Sequence, residues 1–293
     1  MSLFIGTLIA GIALGLLYGL LGFSIVVLHK ATGVANFAQG ALAMLASFLV
    51  VKLGDGFSLS LGVSIVLTAV LMVFIGSAIY ALVLRPMDDA GTLNITIRTF
   101  GVLMLITAVV NIFWSEGQPF SFPSVFPDGV ALNIGQVAIS WLTVGTIIVA
   151  GILVAACGVV FNRTRLGLTF LALAERPEIA RLLGVKTRRL SLIAWAFASL
   201  VAVVVGVLVA PSILVSSNMM DGFLLFSFAA AVVGGLDSLG GAFVGGLIVG
   251  AVSSVSSVYA SHEMAAVLIF ALVLVSLVVR PQGIFGRAAL ERL

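Results

Sequence analysis

The feature that most narrows what this chain can fold into is the recurrence of apolar runs of bilayer length. Crossing about 30 Å of hydrocarbon takes roughly 20 helical residues at about 1.5 Å each. Runs of that kind cover residues 3–28, 35–51, 59–84, 93–114, 136–161 and 190–209, followed by a shorter pair at 223–236 and 242–259 and a last run at 265–279. Hydrocarbon offers a bare backbone no hydrogen-bond partners, so each run must satisfy its own amides as a helix. The pattern predicts an all-α polytopic membrane protein with about eight to nine transmembrane helices, forming a single domain over residues 1–293. Only 9% of the residues are charged and 62% are hydrophobic. A soluble domain carries about 25% charge, so a water-soluble fold is excluded.

The run at 223–236 has 14 residues and rises only about 21 Å as a helix. Glycines follow it at 234, 235, 240 and 241, around Leu236-Asp237-Ser238-Leu239. Either both members of this pair cross the membrane or they form a re-entrant hairpin, and both arrangements leave the chain ends on the same sides.

Sidedness follows from the basic residues, because loops rich in Lys and Arg stay in the cytoplasm. With the N-terminus outside and nine crossings, thirteen of the 14 Lys and Arg fall at the inner face, leaving Lys52 outside. Asp55, Glu116, Asp128, Asp221 and Glu263 then face outward, and the C-terminus is cytoplasmic. Residues 115–135, with Pro119, Pro123 and Pro127, form an extracytoplasmic loop without a regular core of its own. Residues 162–189 are the one sizeable charged segment and form a cytoplasmic loop.

Enzyme chemistry finds no credible set of residues. HExxH, Walker A and GxSxG patterns and Cys/His metal spacings are missing from the sequence, so neither a catalytic nor a metal site is expected. Cys157 is the single cysteine and fits as a small packing residue. The net charge of +3 is too dispersed for a nucleic-acid face. Ionisable residues at mid-bilayer depth usually mark ion or proton pathways and are almost missing here. Arg98 lies near the inner end of its run, within snorkelling reach of the interface. A proton-coupled carrier is disfavoured, and a partner must supply the energy.

The inner loop contains a matching contact element. Pro177 suits a first helical position and Gly184 a C-terminal cap, which predicts a short helix between them. Ile179, Leu182 and Leu183 recur at i, i+3 and i+4 as an apolar face, with Glu178 and Arg181 turned away from it. So short a helix needs something to dock against, either its own membrane domain or a partner.

Glu178-Ile179-Ala180, three residues, then Gly184 resembles the coupling loop of ABC importer permeases. Further matches are Gly33-Val34-Ala35-Asn36-Phe37-Ala38-Gln39-Gly40, Arg163-Thr164-Arg165-Leu166-Gly167, the glycine-rich stretch around Asp237 and Arg280-Pro281-Gln282-Gly283-Ile284-Phe285-Gly286. In this order they resemble the H-type permease subunit of branched-chain amino-acid (LIV-type) ABC importers. Departures are Arg176, where relatives often carry Asp, Ile179 in place of the first Ala of the loop, and Arg98 in place of an apolar residue.

The resemblance implies a permease in a bacterial cytoplasmic membrane that hydrolyses nothing itself. It implies an M-type second permease, two cytoplasmic ATP-binding subunits that hold ATP and Mg, and an extracytoplasmic solute-binding protein. Glu178, Ile179, Ala180, Arg181, Leu182, Leu183 and Gly184 are then the ATPase-coupling residues. Branched-chain or other amino acids are the first candidates for a small polar solute moved by alternating access. Asn36, Gln39, Gly40, Gly234 and Gly235 are candidates for the solute pathway, with interhelical hydrogen bonding and small-residue packing as the competing explanation. A stand-alone secondary transporter or channel is the alternative function, and a membrane scaffold a third.

Overall fold

The computed structural model describes residues 2–85, 91–114, 119–134, 137–175 and 177–286. The elements in chain order are α1 (Ser2–Thr32), α2 (Gln39–Phe57), α3 (Leu61–Ile79), α4 (Thr92–Phe113), β1 (Val130–Ile134), β2 (Val137–Ser140), α5 (Trp141–Arg163), α6 (Arg165–Glu175), α7 (Pro177–Leu182), α8 (Thr187–Val209), α9 (Asp221–Gly234), α10 (Leu239–Tyr259) and α11 (His262–Val279). Each of the nine apolar runs carries a helix. Among the described residues, seven helices are long and apolar enough to cross a membrane, and Asp221–Gly234 and Glu263–Val279 are shorter apolar helices.

Boundaries move where local chemistry outweighs hydropathy. The second run begins at residue 35, yet α2 starts at Gln39 because Gly33 turns the chain at φ +74° and Asn36 Oδ1 accepts from the Ala38 amide at 3.0 Å. At its other end α2 continues past Lys52 and Asp55 to a left-handed Ser58, since charge at the interface does not break a helix. The fifth run splits, its first described residues pairing as an antiparallel hairpin, β1 with β2, before Ser140 caps α5 by accepting from the Thr143 amide. That hairpin adds regular structure at the end of a segment expected to be loop alone.

The chain divides into two compact units. One comprises residues 1–26, 126–164 and 225–293. Its packing rests on small residues: a Cβ on Gly15 would stand 2.9 Å from the Gly246 carbonyl oxygen, and one on Gly246 would run into the Gly19 backbone. Between membrane helices there is no hydrophobic drive to associate, so close backbone approach supplies the contact. The Ser254 hydroxyl adds a bond to the Thr7 carbonyl at 2.7 Å. On another face of α10, a Cβ on Gly245 would strike the Ala230 carbonyl, pressing α9 and α10 together. Gly241, Gly245 and Gly246 are thus the small residues that let α10 approach its neighbours closely.

The second unit comprises residues 27–125 and 165–224 and is built on α2, α3 and α8. Ala43 and Gly206 bring α2 and α8 into backbone contact, and Gly76 of α3 lies against Ser199 of α8. At the end of α3 the helix widens to a π turn over Tyr80–Leu84, and the Arg98 guanidinium donates to the Val83 carbonyl there at 3.1 Å and to Asn94 Oδ1 at 3.0 Å. That charge is therefore met by α4 and the π turn together. The exposed apolar sides of α3 and α4, including Phe74, Ile97 and Met104, require hydrocarbon or another membrane helix against them.

Candidate functional site

The charged loop folds into two consecutive helices. In α6, Phe170 and Leu173 are buried while Leu166 and Leu168 are exposed, so the helix packs on one side and leaves apolar surface on the other. Helix α7 begins at Pro177, whose fixed φ and missing N–H suit a first helical position. Its end is a Schellman cap: the Val185 amide donates to the Ala180 carbonyl at 3.0 Å across Gly184, which sits at φ +85°. An L-residue in that conformation costs about 1–2 kcal/mol, which accounts for glycine there.

The cap decides which side chains face out. Ala180 is buried, whereas Leu182 and Leu183 are 87% and 80% exposed and Ile179 is half-exposed. Outside the long membrane helices, side chains so bare form an exposed apolar patch of the kind found at contact sites. Sequence spacing groups Ile179, Leu182 and Leu183 on one face, and all three are accessible. Arg176 lies outside the described residues, and of the coupling residues Glu178 and Arg181 only the backbone is described.

Asn36 and Gln39 form one buried unit. The Asn36 amide donates to Gln39 Oε1 at 3.1 Å, and the Gln39 amide donates to the Ala198 carbonyl of α8 at 2.8 Å. Both are essentially inaccessible, and their bonds join the break before α2 to α8. Beside them the Phe37 amide donates to the Thr99 hydroxyl at 3.4 Å, and the Phe37 ring stacks on Phe100 at 4.3 Å. Gly40 is tightly packed, since a Cβ there would meet Leu224 Cβ at 3.0 Å.

Gly234 and Gly235 belong to a different arrangement, in the first unit. Gly235, at φ +105°, turns the chain between α9 and α10, and the segment after α11 closes over it. The Ile284 amide donates to the Val233 carbonyl at 2.9 Å and the Phe285 amide to the Gly234 carbonyl at 3.1 Å. A Cβ on Gly235 would stand 2.8 Å from the Gln282 carbonyl oxygen. Two motifs read separately in the sequence, the glycine run and Arg280 to Gly286, are thus one backbone-to-backbone lock. Shared glycine content was the only sequence signal for this pairing, and it does not specify which stretches of backbone meet.

Helices of bilayer length, bare apolar sides and polar groups spent on neighbouring backbone define a multi-pass membrane protein. Residues 7–277 match the family model described as "Branched-chain amino acid transport system / permease component". The chain belongs to that family and is an ABC-type permease component, a subunit that transports and does not catalyse. It is 29% identical to the high-affinity branched-chain amino acid transport system permease protein LivH of Salmonella typhimurium, covering 99% of this chain and 97% of that one. BraD of Pseudomonas aeruginosa, with the same description, is 24% identical over 97% and 96% of the two chains. The autoinducer 2 import system permease LsrC of Escherichia coli is 30% identical over 53% of this chain and 43% of its own. Among solved structures, PsaBC from Streptococcus pneumoniae in complex with Fab shares the fold, with a TM-score of 0.51 and 16% identity over 96% and 92% of the chains. The expected H-type resemblance is met by the LivH relatives, and the protein is homologous to bacterial inner-membrane permeases.

Proposed function

We propose that the chain, acting as one permease domain, moves a small polar solute inward, with branched-chain amino acids as the first candidates. ATP and Mg act in two cytoplasmic subunits that grip residues 178–184, and closure of that pair drives the change between outward and inward access. An M-type permease completes the membrane part, and an extracytoplasmic binding protein delivers the solute. The N-terminus and residues 115–135 lie outside, while residues 162–189 and the C-terminus lie in the cytoplasm. The observation that carries this reading is the bare pair Leu182 and Leu183 at the end of a capped helix in the charged loop.

Leu183→Asp tests it. The variant should fold in the membrane and lose the ATPase subunits on purification, and retention of the ATPases would remove the docking assignment. Uptake of radiolabelled L-leucine by the complete assembly should require ATP and the binding protein. Uptake without ATP would instead establish a stand-alone carrier. For the pathway candidates, the hydrogen bonds of Asn36 and Gln39 support a packing role. Unchanged uptake after Asn36→Ala and Gln39→Ala at equal protein levels would establish it, whereas altered solute selectivity would place them, with Gly40, on the pathway. Gly234 and Gly235 are tested in the same way by alanine.

A further inference from the structure

Lys52 is the one basic residue that the topology leaves outside, and the function described so far gives it no task. It lies three residues before Asp55 near the end of α2, a spacing that puts both on one face of the helix. Among the described residues neither makes an ion pair or a hydrogen bond. Both line a cavity of about 760 Å³ whose other walls include Leu59, Trp114, Phe120 and Phe122. That volume is within the usual range of small-molecule sites, about 300–1,000 Å³.

The aromatic wall is held in place before any ligand arrives. Phe120 pairs with Val215 through two backbone bonds, 3.2 Å from its amide and 2.8 Å to its carbonyl. Its ring meets Phe48 edge-on at 5.3 Å, and Phe122 is buried. The opposite rim is fixed by the left-handed Ser58 and the Leu59 amide, which donates to the Gly54 carbonyl at 3.1 Å. A pre-formed site loses less on binding than one that must order itself. Lys52 and Asp55 are both exposed at this cavity, where a solute arriving from water can reach them.

We propose that this cavity is a receiving site for a zwitterionic α-amino acid with an apolar side chain. Lys52 takes the carboxylate, Asp55 takes the α-ammonium group, and Trp114, Phe120 and Phe122 cover the side chain. A molecule carrying both charges satisfies both residues at once, whereas an amine or an acid alone leaves one unmet. The inference rests on the reading of the protein as an importer of amino acids.

The test uses the assembled transporter in nanodiscs, with Cys157→Ser and Ser121→Cys placing one thiol at the cavity wall. L-leucine at about 10 mM should slow maleimide labelling of that thiol at least threefold. Leucinamide, which lacks the carboxylate, and 4-methylpentanoate, which lacks the ammonium group, should each protect less than 1.5-fold. Asp55→Asn and Lys52→Gln should each abolish the protection, and Asp55→Glu should restore it. Equal protection by all three ligands, or none by L-leucine, would overturn the proposal. Phosphatidylethanolamine carries the same pair of charges, so the assay is run with and without that lipid. Protection by the lipid alone would assign the cavity to a headgroup and overturn the amino-acid assignment. Uptake is measured in parallel: wild-type protein that transports no amino acid would remove the functional reading, whereas normal uptake with unprotected cysteine would remove only this site.

Discussion

The Gln39 side-chain amide donates to a backbone carbonyl of α8 and accepts from Asn36, so both ends of one buried group are used. A hydrogen bond between membrane helices is worth about 0.6 kcal/mol on average and up to about 1.7. Gln39→Leu removes two bonds and leaves the buried Asn36 amide without its acceptor, so the transporter should lose about 1–2 kcal/mol of stability. A lower thermal midpoint in detergent checks this, and an unchanged one would mean that water replaces the amide. Gly184→Ala acts on the backbone instead, forcing a side chain into φ +85°. It should uncap α7 at a cost of about 1–2 kcal/mol and reduce ATPase retention without changing the amount of protein in the membrane.

At the scale of elements, the apolar runs foretold every long helix because each had to close its own hydrogen bonds. Hydropathy located their ends less well, since Asn36 and Gly33 delay α2 through local bonding and the first part of the fifth run pairs as a strand. Proline and glycine spacing placed α7 closely, because capping is local chemistry. The lock between residues 280–286 and Gly235 was not legible, as nothing local connects positions so far apart in the chain. The contact of α1 with α10 yields a prediction of its own. Gly246→Leu should push α1 away, because a single Cβ there already collides with the Gly19 backbone. Cysteines replacing Thr7 and Ser254, which meet across the same two helices, should then cross-link less readily than in the parent. Equal cross-linking, measured in a Cys157→Ser background, would refute the close approach.

For the whole molecule, scarcity of charge makes each charged residue informative. If thirteen basic residues hold the inner face, Ser124→Cys should react with an impermeant maleimide from outside only; labelling solely from inside would reverse the topology. On that same topology Lys52 is the one cation outside, where it would have no part in retaining loops.

The glycine contact between α1 and α10 also sets a schedule. Gly15 and Gly246 are 231 positions apart, so at about 5–20 residues per second the ribosome needs roughly 10–50 s to supply the partner. Throughout that interval the newly inserted α1 carries an unfilled groove through the membrane. A chain halted before α10 leaves the small-residue face of α1 without the backbone it is shaped to meet.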